Sequence, residues 1–349
     1  MNLNLPQFQS FTMNLETLIQ TAQALVAPGK GLLAMDESNP TCNKRFAAVD
    51  IPQTESERRA YREMILTTPS LGQFISGAIL YDETIRQHTK GGTPFIQLLT
   101  DGGIIPGIKV DAGAKNMALH PGEKITEGLD HLRERLAEYS KMGARFAKWR
   151  AVITIGRDIP TAACIKANAH ALARYAALCQ EANIVPIVEP EVLMDGSHSL
   201  EKCKEVSEKT LQTVFKELNK QGVMLEGIIL KPNMVLPGKD CPNQNNLDEI
   251  VNDTLICLLR SVPAAVPGIA FLSGGQSPEE ATMRLNAMNL KMQGKAPWAL
   301  TFSFSRAILQ PALEKWKGQD ANIQAAQQII YNNAKNNSAA SLGQFKPSA

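Results

Sequence analysis

The sequence lacks most of what a metal, membrane or nucleic-acid protein would display. Its six cysteines (Cys42, Cys164, Cys179, Cys203, Cys241 and Cys257) form no C-x-x-C pair and stand at no zinc-like spacing to any of the five histidines. They read as reduced thiols of an intracellular protein. His88, His120, His131, His170 and His198 contain no H-x-x-x-H pair, so neither a metal nor another cofactor is expected. Charge of one sign is also missing. Lys+Arg number 36 against 34 Asp+Glu, which gives no electrostatic footprint of a nucleic-acid or membrane partner. Apolar runs stay strand-sized, as in Gly227-Ile228-Ile229-Leu230. No basic residue precedes Lys30, so the start shows neither a secretory n-region nor an Arg-rich transit face, and a cytoplasmic location is expected. No Pro/Gly/Ser linker or shift in composition divides the chain.

What is present is periodic. In 349 residues that are 44% apolar and 20% charged, eight apolar, β-branched runs begin near Gly31, Phe74, Gly103, Ala144, Ile184, Glu226, Gly268 and Trp298. Helix-like stretches separate them. The spacing of about 38 residues suits a strand, a helix and two loops, and eight such units predict a single-domain α/β fold, the closed parallel (β/α)8 TIM barrel. Leu247, Ile250, Val251, Thr254, Leu255, Leu258 and Leu259 form a helical stripe behind an N-cap Asn246, and Gly222 closes the helix carrying Leu211, Val214, Phe215 and Leu218. Leu15, Leu18, Ile19, Ala22, Leu25 and Val26 mark an extra N-terminal helix ended by Pro28-Gly29. The expected organisation is an extension with this helix over 1–30, the barrel over 31–331, and a loosely held Asn/Ala/Ser-rich tail over 332–349. Arg58-Arg59 and the charges of 201–205 read as solvated faces, and Pro237–Asn246 as a loop.

In a parallel barrel the chemistry lies at the carboxyl ends of the strands. Those ends offer, in order, Asp36, Asp82 or Glu83, Lys109, Lys148 with Arg150, Glu189 with Glu191, Lys231, Ser273 and Arg306. Residues two apart share a face, so Lys148 and Arg150 point one way, as do Glu189 and Glu191. Lys148 and Lys231 enter apolar surroundings where a charge is costly without partners. Desolvation and a neighbouring cation favour a neutral amine, which can attack a carbonyl to form a Schiff base while carboxylates move protons. The residues leave open which of the two lysines is the nucleophile, and whether the lysines serve only as halves of structural ion pairs.

Phe271-Leu272-Ser273-Gly274-Gly275-Gln276 is an apolar strand opening into glycines. Ser277-Pro278-Glu279-Glu280 then starts a helix with Ser as N-cap, Pro at N1 and Glu at N3. After strands 7 and 8 of a barrel this is the position of a phosphate site, to which Arg306 adds a cation. No G-x-x-x-x-G-K-[ST] occurs, and Gly29-Lys30-Gly31-Leu32-Leu33-Ala34 fits the dinucleotide pattern only loosely and follows a helix.

The sequence closely resembles the class I, Schiff-base fructose-bisphosphate aldolases from about Leu15 to about Ala340. The resemblance rests on Gly31-Leu32-Leu33-Ala34-Met35-Asp36-Glu37-Ser38, Gly107-Ile108-Lys109-Val110-Asp111, Phe146-Ala147-Lys148-Trp149-Arg150, Ile187-Val188-Glu189-Pro190-Glu191, Leu230-Lys231-Pro232-Asn233-Met234-Val235, the Ser273-Gly274-Gly275 segment and Thr301-Phe302-Ser303-Phe304-Ser305-Arg306. It implies metal-independent, reversible cleavage of D-fructose 1,6-bisphosphate to dihydroxyacetone phosphate and D-glyceraldehyde 3-phosphate, as in glycolysis, gluconeogenesis or the Calvin cycle. Lys231 would then be the Schiff-base lysine, Glu189 the acid/base of carbinolamine dehydration, and Lys148 the polarising cation. Asp36 would take the C4-hydroxyl proton, and Glu191 would support the lysines. One phosphate is implied at Ser273, Gly274, Gly275, Ser303 and Arg306, the other at Ser38, Thr41, Arg45, Lys109 and Arg150. The resemblance also implies a homo-oligomer, commonly a tetramer. Preference for sedoheptulose 1,7-bisphosphate or fructose 1-phosphate, and a non-catalytic scaffolding barrel, are the alternatives. Two departures stand out. No tyrosine follows Tyr331, where longer relatives carry a C-terminal tyrosine that assists proton exchange. Ser305 replaces a common glycine, either adding a contact or narrowing the approach.

Overall fold

Alternation along the strands decides what fills the centre of this protein. The computed structural model describes residues 14–347, so part of the 1–30 extension and the last two tail residues lie outside the described residues. The barrel strands are β1 (Gly31–Ala34), β2 (Ile75–Leu80), β3 (Ile105–Lys109), β4 (Phe146–Ile153), β5 (Val185–Val192), β6 (Ile229–Leu230), β7 (Gly268–Phe271) and β8 (Ala299–Phe304). Each starts within three residues of the position expected from the sequence. All are parallel and neighbour one another in chain order, and the pairing of Leu32 with Ser303 closes the ring. One phase of the alternation (Leu32, Ala34, Ile79, Phe146, Val185, Ile187, Ile229, Ala270) forms the inner core. The other phase (Leu33, Ala78, Ala147, Val188, Leu230, Phe271) packs against the surrounding helices.

The N-terminal helix Leu15–Leu25 plugs the amino end of the barrel. Leu18, Ala22 and Leu25 join the inner core, and Ser76 Oγ donates to the Leu25 carbonyl at 2.5 Å. Glycines make room for the plug: a Cβ on Gly77 would lie 2.7 Å from Leu25, and one on Gly268 would lie 2.6 Å from Val26. Leu25→Ala should therefore cost about 2–5 kcal/mol in urea unfolding, because the ring around it cannot collapse into the space. A loss below about 1 kcal/mol would show that the helix is not part of the core.

The capping signals translate directly. Asn246 caps Leu247–Ser261 and Ser277 caps Pro278–Met292, each as a full capping box with its N3 glutamate. The tail expectation needs correction, since residues 332–341 belong to the helix Ile323–Ser341, with Ala326, Ile330, Ala334, Asn337 and Ala340 buried. Its buried face is mainly alanine, which lets the helix lie close on its neighbours while giving little hydropathic signal. Asn337 is fixed there by a 3.0 Å bond from Thr282. Arg58 is likewise not solvated. It is buried and holds Glu83 with two 2.7 Å bonds. A hairpin of Ala114–Asn116 and Lys124–Thr126, not expected from the sequence, follows β3. Among the described residues no helix is long and apolar enough to cross a membrane.

Candidate active site

Past the last apolar residue of each inner row, the same row continues as charge. On β1 the row Leu32, Ala34 leads to Asp36; on β4 Phe146 leads to Lys148 and Arg150; on β5 Ile187 leads to Glu189 and Glu191; on β6 Ile229 leads to Lys231. Register then sets the neighbours. Lys109 lies beside Lys148 and Arg150 beside Glu189, and Lys231 N–H donates to the Val188 carbonyl at 2.8 Å, next to Glu189.

Four of these groups form an alternating string. Lys148 Nζ lies 2.7 Å from Asp36 Oδ2 and 3.2 Å from Glu189 Oε2, and Lys231 Nζ lies 3.1 Å from Glu189 Oε1. All four are buried, and two cations balance two anions, so none is left as an uncompensated charge. Burial alone would push the Lys148 pKa down, but Asp36 and then Glu189 outweigh it and raise it. Burial pushes Asp36 and Glu189 up, yet the lysines, Lys148 foremost, bring both below the ordinary carboxylate range. Lys148 is thus an ammonium held between two carboxylates.

A second layer surrounds the string. Arg150 pairs with Glu191, and Lys109 pairs with Asp111 at 2.6 Å. Glu191 bonds the arginine and neither lysine, so its expected support of the lysines is at most indirect. Arg45 pairs with Glu37, whose other oxygen accepts from the buried Arg62 at 2.7 Å. After β7 the chain turns through Gly274 (φ +60°) and Gly275 (φ +91°), a left-handed pair that favours glycine. Gln276 holds this turn from behind, donating to the Ser273 carbonyl at 2.9 Å and accepting from Arg284 at 2.6 Å. Ser303 Oγ is buried without a hydrogen-bond partner, a polar atom waiting on the inner face.

These groups line one cavity of about 650 Å³ at the carboxyl end of the barrel. Fourteen of the fifteen residues that the family resemblance implies are on its wall: Asp36, Ser38, Thr41, Arg45, Lys109, Lys148, Arg150, Glu189, Glu191, Lys231, Ser273, Gly274, Ser303 and Arg306. Gly275 stands just behind, where an added Cβ would come within 3.1 Å of Arg306. Seven cationic and five anionic side chains share the wall. Asp82 and Glu83 are elsewhere: Asp82 accepts from Tyr139 and Arg86, and Glu83 is the partner of Arg58. Strand-end reasoning missed Glu37, Lys44, Asp111 and Gln310. Asp111 is two residues beyond Lys109 and was legible from alternation. Lys44 belongs with Thr41 and Arg45 on the helix Asn39–Ala47, where a period of 3.6, not 2, applies.

The family model described as "Glycolytic: Fructose-bisphosphate aldolase class-I" matches residues 17–349. The chain belongs to the class I fructose-bisphosphate aldolases. It is 58% identical to a "Probable fructose-bisphosphate aldolase class 1" of Xanthomonas campestris pv. campestris, over 96% of this chain and 100% of the relative. It is 52% identical to "Fructose-bisphosphate aldolase 5, cytosolic" of Arabidopsis thaliana, over 95% and 92%. Among solved structures it superposes with TM-score 0.93 on the fructose-bisphosphate aldolase of Plasmodium falciparum, crystallised with TRAP and a small-molecule inhibitor, at 47% identity over 95% and 96% of the two chains. This aldolase is a lyase that cleaves fructose 1,6-bisphosphate through a lysine Schiff base, without a metal. Its barrel is that of the family, and its substrate is a sugar bisphosphate.

Proposed function

We propose that Lys231 is the Schiff-base lysine, and the observation that carries this is the asymmetry of the two buried amines. Lys148 is held by two carboxylates, Lys231 by Glu189 alone. The attacking amine must be neutral, and Glu189 Oε1 at 3.1 Å is placed to take its proton. Attack on the C2 carbonyl forms a carbinolamine. Glu189 returns the proton as the hydroxyl leaves as water, and Lys148 stabilises the developing oxyanion. The iminium then acts as electron sink. Asp36, held ionised by Lys148, accepts the C4-hydroxyl proton, the C3–C4 bond breaks, and its electron pair moves to C3 and the imine nitrogen. Glyceraldehyde 3-phosphate leaves, C3 takes up a proton, and water releases dihydroxyacetone phosphate from Lys231.

We infer the two phosphate sites from the family resemblance and from their positions on the cavity wall. C1 adjoins C2, so we give its phosphate to Ser273, Gly274 and Gly275 after β7, the strand next to β6, together with Ser303 and Arg306 from β8 beyond it, the set the family resemblance implies. C6 lies beyond the C4 hydroxyl, and we give its phosphate to the other implied set, Ser38, Thr41, Arg45, Lys109 and Arg150, which lines the same cavity. Two anion sites flanking Lys231 hold the substrate stretched across the nucleophile. We also infer a cytoplasmic enzyme that assembles as a homotetramer, supported by its membership of the family and by cytosolic relatives.

Borohydride reduction in the presence of dihydroxyacetone phosphate tests the assignment. The three-carbon phosphate should become fixed to Lys231, with or without EDTA, as read by peptide mass spectrometry. Label on Lys148 instead would reverse the roles of the two lysines.

A further inference from the structure

Ser305 joins the two sides of the mouth. It extends the inner row of Thr301 and Ser303 on β8 and immediately precedes Arg306, so its backbone belongs to the C1-phosphate side. Its hydroxyl turns the other way. Ser305 Oγ donates to Glu37 Oε1 at 3.2 Å and accepts from Arg45 Nη1 at 3.4 Å, while Arg45 pairs with the same Glu37 oxygen. Three groups, from the residue just past β8, the loop after β1 and the helix Asn39–Ala47, thus close a ring.

One member of the ring cannot move. Glu37 is anchored from behind by Arg62, a side chain only 2% exposed, which bonds Glu37 Oε2 at 2.7 Å and its carbonyl at 3.2 Å. Arg45 is the free member, with a side chain 20% exposed on the cavity wall. A long cation held at one point keeps rotamers that must be lost when it meets an anion. A second hold, from the serine hydroxyl, removes them in advance. Arg45 and Arg306 also face each other across the opening: burial, and next the charge of Arg45, depress the Arg306 pKa.

We propose that Ser305 is a positioning residue for Arg45, pre-setting its guanidinium for the second phosphate and so strengthening this enzyme's preference for bisphosphate over monophosphate ketoses. The proposal rests on the assignment of Arg45 to the C6 phosphate.

The test compares fructose 1,6-bisphosphate with fructose 1-phosphate, which lacks that phosphate, for the wild type, Ser305→Ala, Ser305→Gly and Arg45→Ala. Both serine variants should raise KM for the bisphosphate roughly 5-fold, with kcat and the monophosphate constants unchanged, because both lack the hydroxyl. Arg45→Ala should lower the bisphosphate preference further. Equal losses on both sugars in the serine variants, no loss on either, or a loss in the glycine variant alone would overturn the role of the hydroxyl. Should Arg45→Ala leave the preference at its wild-type value, the phosphate assignment fails, and the role of Ser305 with it.

Discussion

Lys231→Ala is expected to lower kcat for fructose 1,6-bisphosphate cleavage by roughly 10⁴-fold or more and to abolish borohydride trapping. The loss is large because no other amine can take over. Lys148 Nζ is within 3.2 Å of Glu189, but Asp36 holds it at 2.7 Å and its pKa is raised, so it remains an ammonium without a lone pair for attack. Without the iminium, electrons leaving the C3–C4 bond have nowhere to go, since this class uses no metal as Lewis acid. The variant also leaves Asp36 and Glu189 sharing one cation, so a fall in thermal stability should accompany the loss of activity. Comparing Lys231→Ala with Lys231→Met at equal folded fraction, read by near-UV circular dichroism, separates the two effects. A variant that keeps cleavage within tenfold of wild type would exclude a covalent role for Lys231.

The sequence made the barrel and most of its mouth legible for one reason: strand alternation has a period of 2 and continues past the end of the apolar core. Asp36, Lys148, Arg150, Glu189, Glu191 and Lys231 all follow from it. It could not choose between Lys148 and Lys231, because both enter the same apolar surroundings. The proposed choice rests on Asp36, which is 112 residues from Lys148 in sequence and 2.7 Å from it in space. Glu37 was missed because it is out of phase with Asp36 and reaches toward Arg62 on the helix Glu55–Leu66. Ser305 was noticed only as a departure from the family pattern. Its partners, Glu37 and Arg45, are 268 and 260 residues distant. The C-terminal helix was missed for another reason: its buried face is mainly alanine with one asparagine, and small residues bury well but carry little hydrophobic contrast.

Glu189→Gln should lower kcat by about 10²–10³-fold, within the range of a general acid/base, while leaving KM for the bisphosphate nearly unchanged. The amide keeps the shape but cannot carry the proton between the Lys231 amine and the carbinolamine hydroxyl. Accumulation of a carbinolamine adduct in rapid-quench samples would locate the block at dehydration. The same substitution reports on stability. Glu189 has a folded pKa below its unfolded value, so its contribution is fully present above the unfolded value of about 4.3 and is lost as pH falls through the folded one. Glutamine removes that contribution and leaves Lys231 without its carboxylate, a change worth about 3–5 kcal/mol at neutral pH. In urea unfolding the gap between wild type and variant should therefore be widest near pH 7 and should narrow as the medium is acidified below about pH 4. A gap that stays constant across that range would mean that Glu189 holds the lysines by packing rather than by charge, and the proton-transfer role would lose its electrostatic basis.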